Sequence, residues 1–409
     1  MTPAESHDRQ LPDLAGGPVQ RFDYPAVGRV TAGVPCVEAV PEEVERLGAR
    51  RALLFVSASL ERRTGIAEAL GRALGARYAG MVASQSAHIT DAIVLEAAGR
   101  LRGCDADLAV VVGGGALVDT VKMAVLAVTH EVREASQLAP LRLSFEGEGG
   151  PKSPCRLEPR LRQLVVPTTL TGAEWSDLTG SAERPEAPKR YYSAQRLGAL
   201  SVVYDPWLAV HTPLPLWLSS GMRAVDHAVE GICSVAPAAL MEAAGVGALR
   251  LLGQALPRCR EAPEDVAARA ACQRGAWLAA TGMGRVRVGA SHGLGHLLAG
   301  LAGVPHGLTS ALLLPSVLRF NRAVNADRQA LCAEALGAED AADAVASLVE
   351  RLGLRQPLAD LRLSAERLRP VAEAAPGHFL VRSNPRPIRQ AADAMAILED
   401  ALRALPPPA

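Results

Sequence analysis

Two short stretches hold residue types whose spacing could do chemistry. In Ser219–Gly231, SSGMRAVDHAVEG, Arg223 and His227 stand four residues apart and share one helix face. In GASHGLGHLLAGLAGVPHG, His292 and His296 repeat that spacing, and His306 follows a Gly/Pro turn. Four of the nine histidines thus fall in two segments. Two imidazoles so spaced can share a metal, or one binds metal while the other faces a substrate. The plain alternative is a group of satisfied core histidines. A carboxylate at position 223 would complete a metal clamp, but an arginine cannot bind a cation. A like charge at 4 Å costs a bound ion about 4 kcal/mol at an effective dielectric near 20. That weighs against a catalytic divalent ion such as Fe or Zn. The guanidinium is better suited to polarising a substrate oxygen or clamping a carboxylate. Asp226 points about 100° further round the helix and is poorly placed as a substitute ligand.

Two more stretches suit a nucleotide. VVVGGGALVDTVK ends a buried run in three glycines just before a helix, where backbone can approach a pyrophosphate. It is not GxGxxG, and a tight strand-to-helix turn without ligand explains it equally well. Asp119 and Lys122 lie one turn in. VVPTTLTGAEWSD places several hydroxyls after a second strand, to bond either phosphate and ribose or its own backbone. At the end of RALLFVSASLERR, Ser57 has no charge to repel a 2′-phosphate, and Arg62 or Arg63 could reach one. A solvated helix start accounts for the same two arginines.

The elements that position these residues fall into two kinds. RALLFVS, ARYAGMV, ADLAVVVGGG and RQLVVP alternate with helical stretches around Thr64–Gly75, TDAIVLEAAGRLRG and LVDTVKMAVLAVTH. That alternation predicts a doubly wound α/β domain. Between His130 and Arg162 the pattern fails in a Gly-, Pro- and charge-rich excursion. After LSVVYDPWL the strand signal stops. The expected organisation is a tail over 1–20, an α/β dinucleotide-binding domain over 21–205 and a helical domain over 206–409. With 43 basic and 43 acidic side chains and 3% aromatics, nothing points to nucleic acid or a membrane surface as partner. The polar N-terminus is no signal peptide, and no apolar run is long enough to span a membrane. Seven scattered cysteines without a CxxC pair fit a reducing, cytoplasmic setting.

Read in order, the segments resemble the iron-containing alcohol dehydrogenase superfamily, and within it the maleylacetate reductase branch. The resemblance runs from about Arg21 to Arg386, through FDYPAVGRVTAG, VGGGALVDTVK, PTTLTGAE, YDPWL, SGMRAVDHAVEG, HGLGH, PHG and NPRPI. It implies the dehydroquinate synthase-like architecture, an α/β dinucleotide-binding domain followed by an all-α domain, with the active site between them. FDYPAVGRVTAG then corresponds to the opening hairpin. The implied chemistry is hydride transfer between NAD(P)H and a carbonyl or alcohol. By matching position, Gly114, Gly115, Ala116 and Asp119 would line the phosphates and nicotinamide ribose. Thr168, Thr169 and Ser176 would contact the nucleotide, Lys189 the ribose, and His296 the substrate and nicotinamide. The metal-dependent members use an Asp, a His four residues later and two histidines fourteen apart. His227, His292 and His306 match, and Arg223 occupies the Asp position. Maleylacetate reductases likewise lack that Asp and work without metal.

The expected protein is therefore a metal-independent NAD(P)-dependent oxidoreductase with Arg223, His227 and His296 at the reacting centre, acting on a small molecule, as a homodimer by family analogy. Alternatives are a biosynthetic alcohol dehydrogenase for a larger substrate such as a peptide, a metal-dependent lyase or cyclase of the same fold, and a non-catalytic nucleotide-binding protein.

Overall fold

The continuous apolar runs become parallel strands covered on both faces. The computed structural model describes residues 22–24, 26–84, 88–145, 151–185, 187–236 and 238–407. The expected tail over 1–20 and residues 146–150 of the excursion lie outside the described residues. The chain begins with β1 (Arg29–Ala32), α1 (Cys36–Arg46), β2 (Ala52–Ser57), α2 (Ala58–Thr64), α3 (Ile66–Leu74), β3 (Tyr78–Ser84), α4 (Asp91–Gly103), β4 (Leu108–Gly113) and α5 (Gly115–Thr129). Then follow β5 (Arg162–Pro167), β6 (Leu178–Ser181), β7 (Arg190–Ser193) and β8 (Ser201–Tyr204). Six strands form a parallel sheet in the order β1-β8-β5-β4-β2-β3. β4 and β5 are buried at every position, and β2 at all but Ser57. Helices cover both faces, so two apolar clusters flank the sheet.

The structure departs from the sequence reading at two points. The described part of the opening stretch is no hairpin: it forms the single strand β1, parallel to β8. Gly28 and Gly33 donate to the carbonyls of Leu200 and Tyr204, so a strand remote in sequence offers a longer ladder than a local turn would. The helix expected around Thr64–Gly75 is α3, and a separate helix α2 precedes it, ended by Gly65 in the left-handed conformation (φ 61°). Finally, β6 and β7 form an antiparallel hairpin that the sequence pattern did not announce.

From Asp205, which caps the short α6 (Pro206–Ala209), all further regular elements among the described residues are helical. They are α7 (Leu214–Ile232), α8 (Ala239–Glu261), α9 (Val266–Ala280), α10 (Ala290–Leu301), α11 (His306–Leu336), α12 (Ala341–Arg351), α13 (Arg355–Ala359), α14 (Ala365–Ala374) and α15 (Ala391–Arg403), joined by short turns. Every residue of α7 from Trp217 on is buried, as expected of a helix packed on all sides. This central helix carries Arg223 and His227. Among the described residues no helix is long and apolar enough to cross a membrane.

Candidate active site

The loops at the C-terminal edge of the sheet and the helices packed above them enclose a cavity of about 1870 Å³. Ligand pockets usually reach only ~1,000 Å³, so there is room for two molecules. One end of the cavity is bordered by Gly114, Gly115, Ala116, Asp119, Thr168, Thr169, Ser176 and Lys189. The other is bordered by Arg223, His227, His292, His296 and His306. These thirteen residues thus face one space, although they come from loops after strands and from four separate helices.

At the first end, α5 starts at Gly115 with Gly114 as N-cap and no capping side chain. Its first turn borders the cavity, where the positive end of the helix suits a pyrophosphate. The glycines also serve a packing role. A Cβ on Gly115 would stand 2.5 Å from Thr171 Oγ1, because this turn lies hard against the loop after β5. Gly115 N–H donates to Thr169 Oγ1 at 3.3 Å. Lys122 is fully buried, and its ammonium donates to the carbonyls of Ala173, Ser176 and Leu178 at 2.9, 3.1 and 2.8 Å. It pairs with Asp119 at 2.6 Å. Lys122 is thus a brace for the second loop and has no donor left for a ligand. Ser176 Oγ accepts the N–H of Leu178, one of the local backbone bonds such turns make. Lys189, in the connection between β6 and β7, is exposed to the cavity. Arg62 reaches the same end with its guanidinium exposed, whereas Arg63 donates to the carbonyl of His211 at 3.0 Å. The open helix terminus, hydroxyl-bearing loop and lysine fit a dinucleotide.

At the second end the imidazoles form two pairs. His292 Nε2 and His227 Nδ1 are 2.7 Å apart, while the rings of His296 and His306 lie 5.5 Å apart. His292 Nδ1 contacts Glu230 Oε2 at 2.6 Å, and His227 Nε2 contacts the carbonyl of Thr171 at 3.2 Å. A line of hydrogen bonds therefore runs Glu230–His292–His227–Thr171, with an acceptor at each end. Burial first, with the Arg223 charge adding to it, pushes His292 down to about 3 and holds His227 well below the ordinary imidazole range. Two neutral rings supply two N–H groups for three contacts. The third would be filled only if the pair took up a proton, which burial and the Arg223 charge oppose, so the line stays neutral beside the cavity.

Glu230 was not anticipated, though it stands one turn beyond His227 on the same helix. Its carboxylate accepts from the N–H groups of Gly289, Ser291 and His292 at 2.9, 2.8 and 3.2 Å. The start of α10 has no capping side chain of its own, so a residue of α7 caps it and fixes where His292 points. Arg223 is buried, with Nη1 3.3 Å from Ser310 Oγ and 3.6 Å from Asp226 Oδ2. His296 Nδ1 lies 3.2 Å from the hydroxyl of Tyr191, a second unanticipated residue that local spacing gave no means of finding. Burial raises Tyr191 to about 12 and holds His296 well below its ordinary value, so both are neutral and share one hydrogen bond.

These donors fit a divalent cation poorly. His292 has both nitrogens engaged, one by His227, and Arg223 places a buried positive charge among the rings. Asp226, Glu230 and His292 do lie within 4.8 Å of one another. However, Asp226 and Glu230 do not border the main cavity. Asp226 Oδ2 already accepts from the hydroxyls of Ser291 and Ser310 at 2.9 and 2.6 Å.

Comparison with known proteins agrees with this geometry. The pattern of the family described as iron-containing alcohol dehydrogenase matches residues 28–206, and that of the Fe-containing alcohol dehydrogenase family, C-terminal, matches 217–402. The chain belongs to the iron-containing alcohol dehydrogenase family. Among its relatives, maleylacetate reductase 2 of Cupriavidus pinatubonensis is 31% identical over 320 residues, 78% of this chain and 79% of that protein. Maleylacetate reductase of Sphingobium indicum is 29% identical over 388 residues, 95% and 99% of the two chains. The crystal structure of maleylacetate reductase from Agrobacterium tumefaciens superposes with a TM-score of 0.78 at 28% identity, over 95% of this chain and 100% of that one. The protein is an NAD(P)-dependent oxidoreductase that resembles maleylacetate reductases.

Proposed function

We propose that this oxidoreductase moves a hydride between nicotinamide and a polar carbonyl or alcohol without a catalytic metal. Arg223 supplies the positive charge at the substrate oxygen. The observation that carries this reading is the buried Arg223 guanidinium beside His227 and His292, whose facing nitrogens are bonded to each other at 2.7 Å. When bound, the nicotinamide gives or takes the hydride at its C4. In the reduction direction, Arg223 stabilises the oxyanion that develops as the carbonyl carbon accepts hydride. His296 relays the proton: its Nε2 gives one to that oxygen as its Nδ1 takes one from the Tyr191 hydroxyl 3.2 Å away, and solvent in the cavity restores the phenol. In the oxidation direction the proton leaves by the same ring. The His227–His292–Glu230 line holds the surrounding polar groups in register. Seven free cysteines are in keeping with a reducing cytoplasm as its setting.

The test is metal content together with activity. Protein purified without chelator or metal-binding tag is expected to hold far less than one Fe, Zn, Ni or Mn per chain and to keep its activity after dialysis against a chelator. About one ion per chain, with activity lost on chelation and restored by Fe or Zn, would overturn the metal-free reading.

A further inference from the structure

Three half-buried aromatic rings meet on the cavity wall beside His296. Phe145 comes from the excursion between α5 and β5, Tyr191 from β7, and Phe379 from the connection between α14 and α15. Phe145 and Phe379 stack with centroids 4.6 Å apart, and each meets Tyr191 edge-on, at 6.2 and 6.0 Å. Tyr191 stacks on His296 at 5.7 Å. The chain has only five phenylalanines and five tyrosines, and three of them gather here from segments far apart in sequence. A role in core packing alone would bury them, yet each keeps surface open to the cavity. Leu143 and Leu380 extend the apolar wall on either side.

We propose that the substrate carries an aryl or comparably flat apolar group beside its reacting carbon, and that Phe145, Tyr191 and Phe379 receive it. This rests on the reading that the reacting oxygen sits at Arg223 and His296. The excursion is then a specificity element, since it supplies one of the three rings. A cavity with room for a second molecule beside the dinucleotide accommodates such a substrate.

The experiment compares phenylpyruvate with pyruvate, benzaldehyde with acetaldehyde, and both pairs with maleylacetate, in wild type, Phe145→Ala and Phe145→Leu. NADH and NADPH fluorescence titration checks that each variant is folded. The aryl member of each pair is expected to show at least about tenfold higher kcat/KM. Phe145→Ala should lower it by about three- to tenfold, the scale of one lost aromatic pair, and leave the alkyl member within about twofold. Phe145→Leu should fall between. A preference for maleylacetate or the alkyl members, or equal loss on every substrate, overturns the aryl wall and leaves the Arg223 mechanism standing. If nothing is turned over, saturation-transfer NMR of phenylacetate and acetate on the nucleotide-loaded protein decides. Phenylacetate binding that Phe145→Ala abolishes supports the wall while the mechanism fails, and no binding overturns both.

Discussion

Arg223 is the residue on which the proposed chemistry turns. It is buried with only Ser310 and Asp226 close to its Nη1, so most of its donors remain for a ligand in the cavity. Arg223→Ala is expected to lower kcat/KM by about 100- to 1000-fold, the usual loss when one oxyanion stabiliser is removed. Nucleotide binding should change little, which fluorescence titration checks. Arg223→Asp is a sharper test, because it restores the Asp-His-His-His set of the metal-dependent relatives. Zn or Fe uptake by that variant should rise towards one ion per chain, measured by elemental analysis. Uptake that stays near zero would mean the His227–His292 bond alone keeps a cation out. His378 offers a pH test. Burial lowers it to about 4, below the ordinary ~6.5. A lowered histidine is protonated in the unfolded chain before the folded one. Its contribution to stability is therefore complete above about pH 6.5 and is lost as pH falls towards 4. Between pH 8 and pH 5 the wild type should lose about 1–2 kcal/mol more stability than His378→Gln, read from denaturant unfolding.

At the scale of elements, the site depends on contacts between segments that have no local reason to meet. The loop after β5 is held by a lysine from α5, and the start of α10 is capped by a glutamate from α7. Lys122→Met leaves three buried carbonyls and Asp119 without their partner. Breaking a buried pair of this kind typically costs about 3–5 kcal/mol, so a clear fall in melting temperature is expected. Weaker NAD(P)H binding should accompany it, because Thr169 and Ser176 ride on the loop that Lys122 braces. A variant as stable as wild type that binds nucleotide normally would show that the loop holds its shape unaided.

For the whole molecule, the cleft between the sheet and the helices is where the proposed cofactor site, proton path and substrate wall converge. A dinucleotide that bridges these layers binds only the folded chain. At 100-fold its dissociation constant it should add about 2.7 kcal/mol of stability, read as a rise in melting temperature with NADH or NADPH. Running both cofactors also compares the exposed Arg62 with a 2′-phosphate in the same experiment: a larger shift with NADPH is expected if Arg62 reaches it.

The strand runs, the glycine turn and the four-residue histidine spacings depend on local burial and helix period, which a sequence carries directly. They were enough to reveal the parallel sheet, the helical second half and the Arg223 and histidine positions, while Thr168, Ser176 and Lys189 came only from the family resemblance. Long-range pairing was not legible in the same way. β1 found β8 rather than a local turn, and the hairpin of β6 and β7 carried no alternating signal. Lys122, to which the sequence assigned no partner, turns inward because three carbonyls of a loop some fifty residues away take its ammonium. Which histidines pair, which carboxylate caps which helix, and that Phe145, Tyr191 and Phe379 share one wall are matters of side-chain direction between distant segments. Only the packing of the helices, β7 and the long connections over the sheet edge decides them. Sequence spacing sets which way a residue faces on its own element, and the tertiary fold sets what it faces.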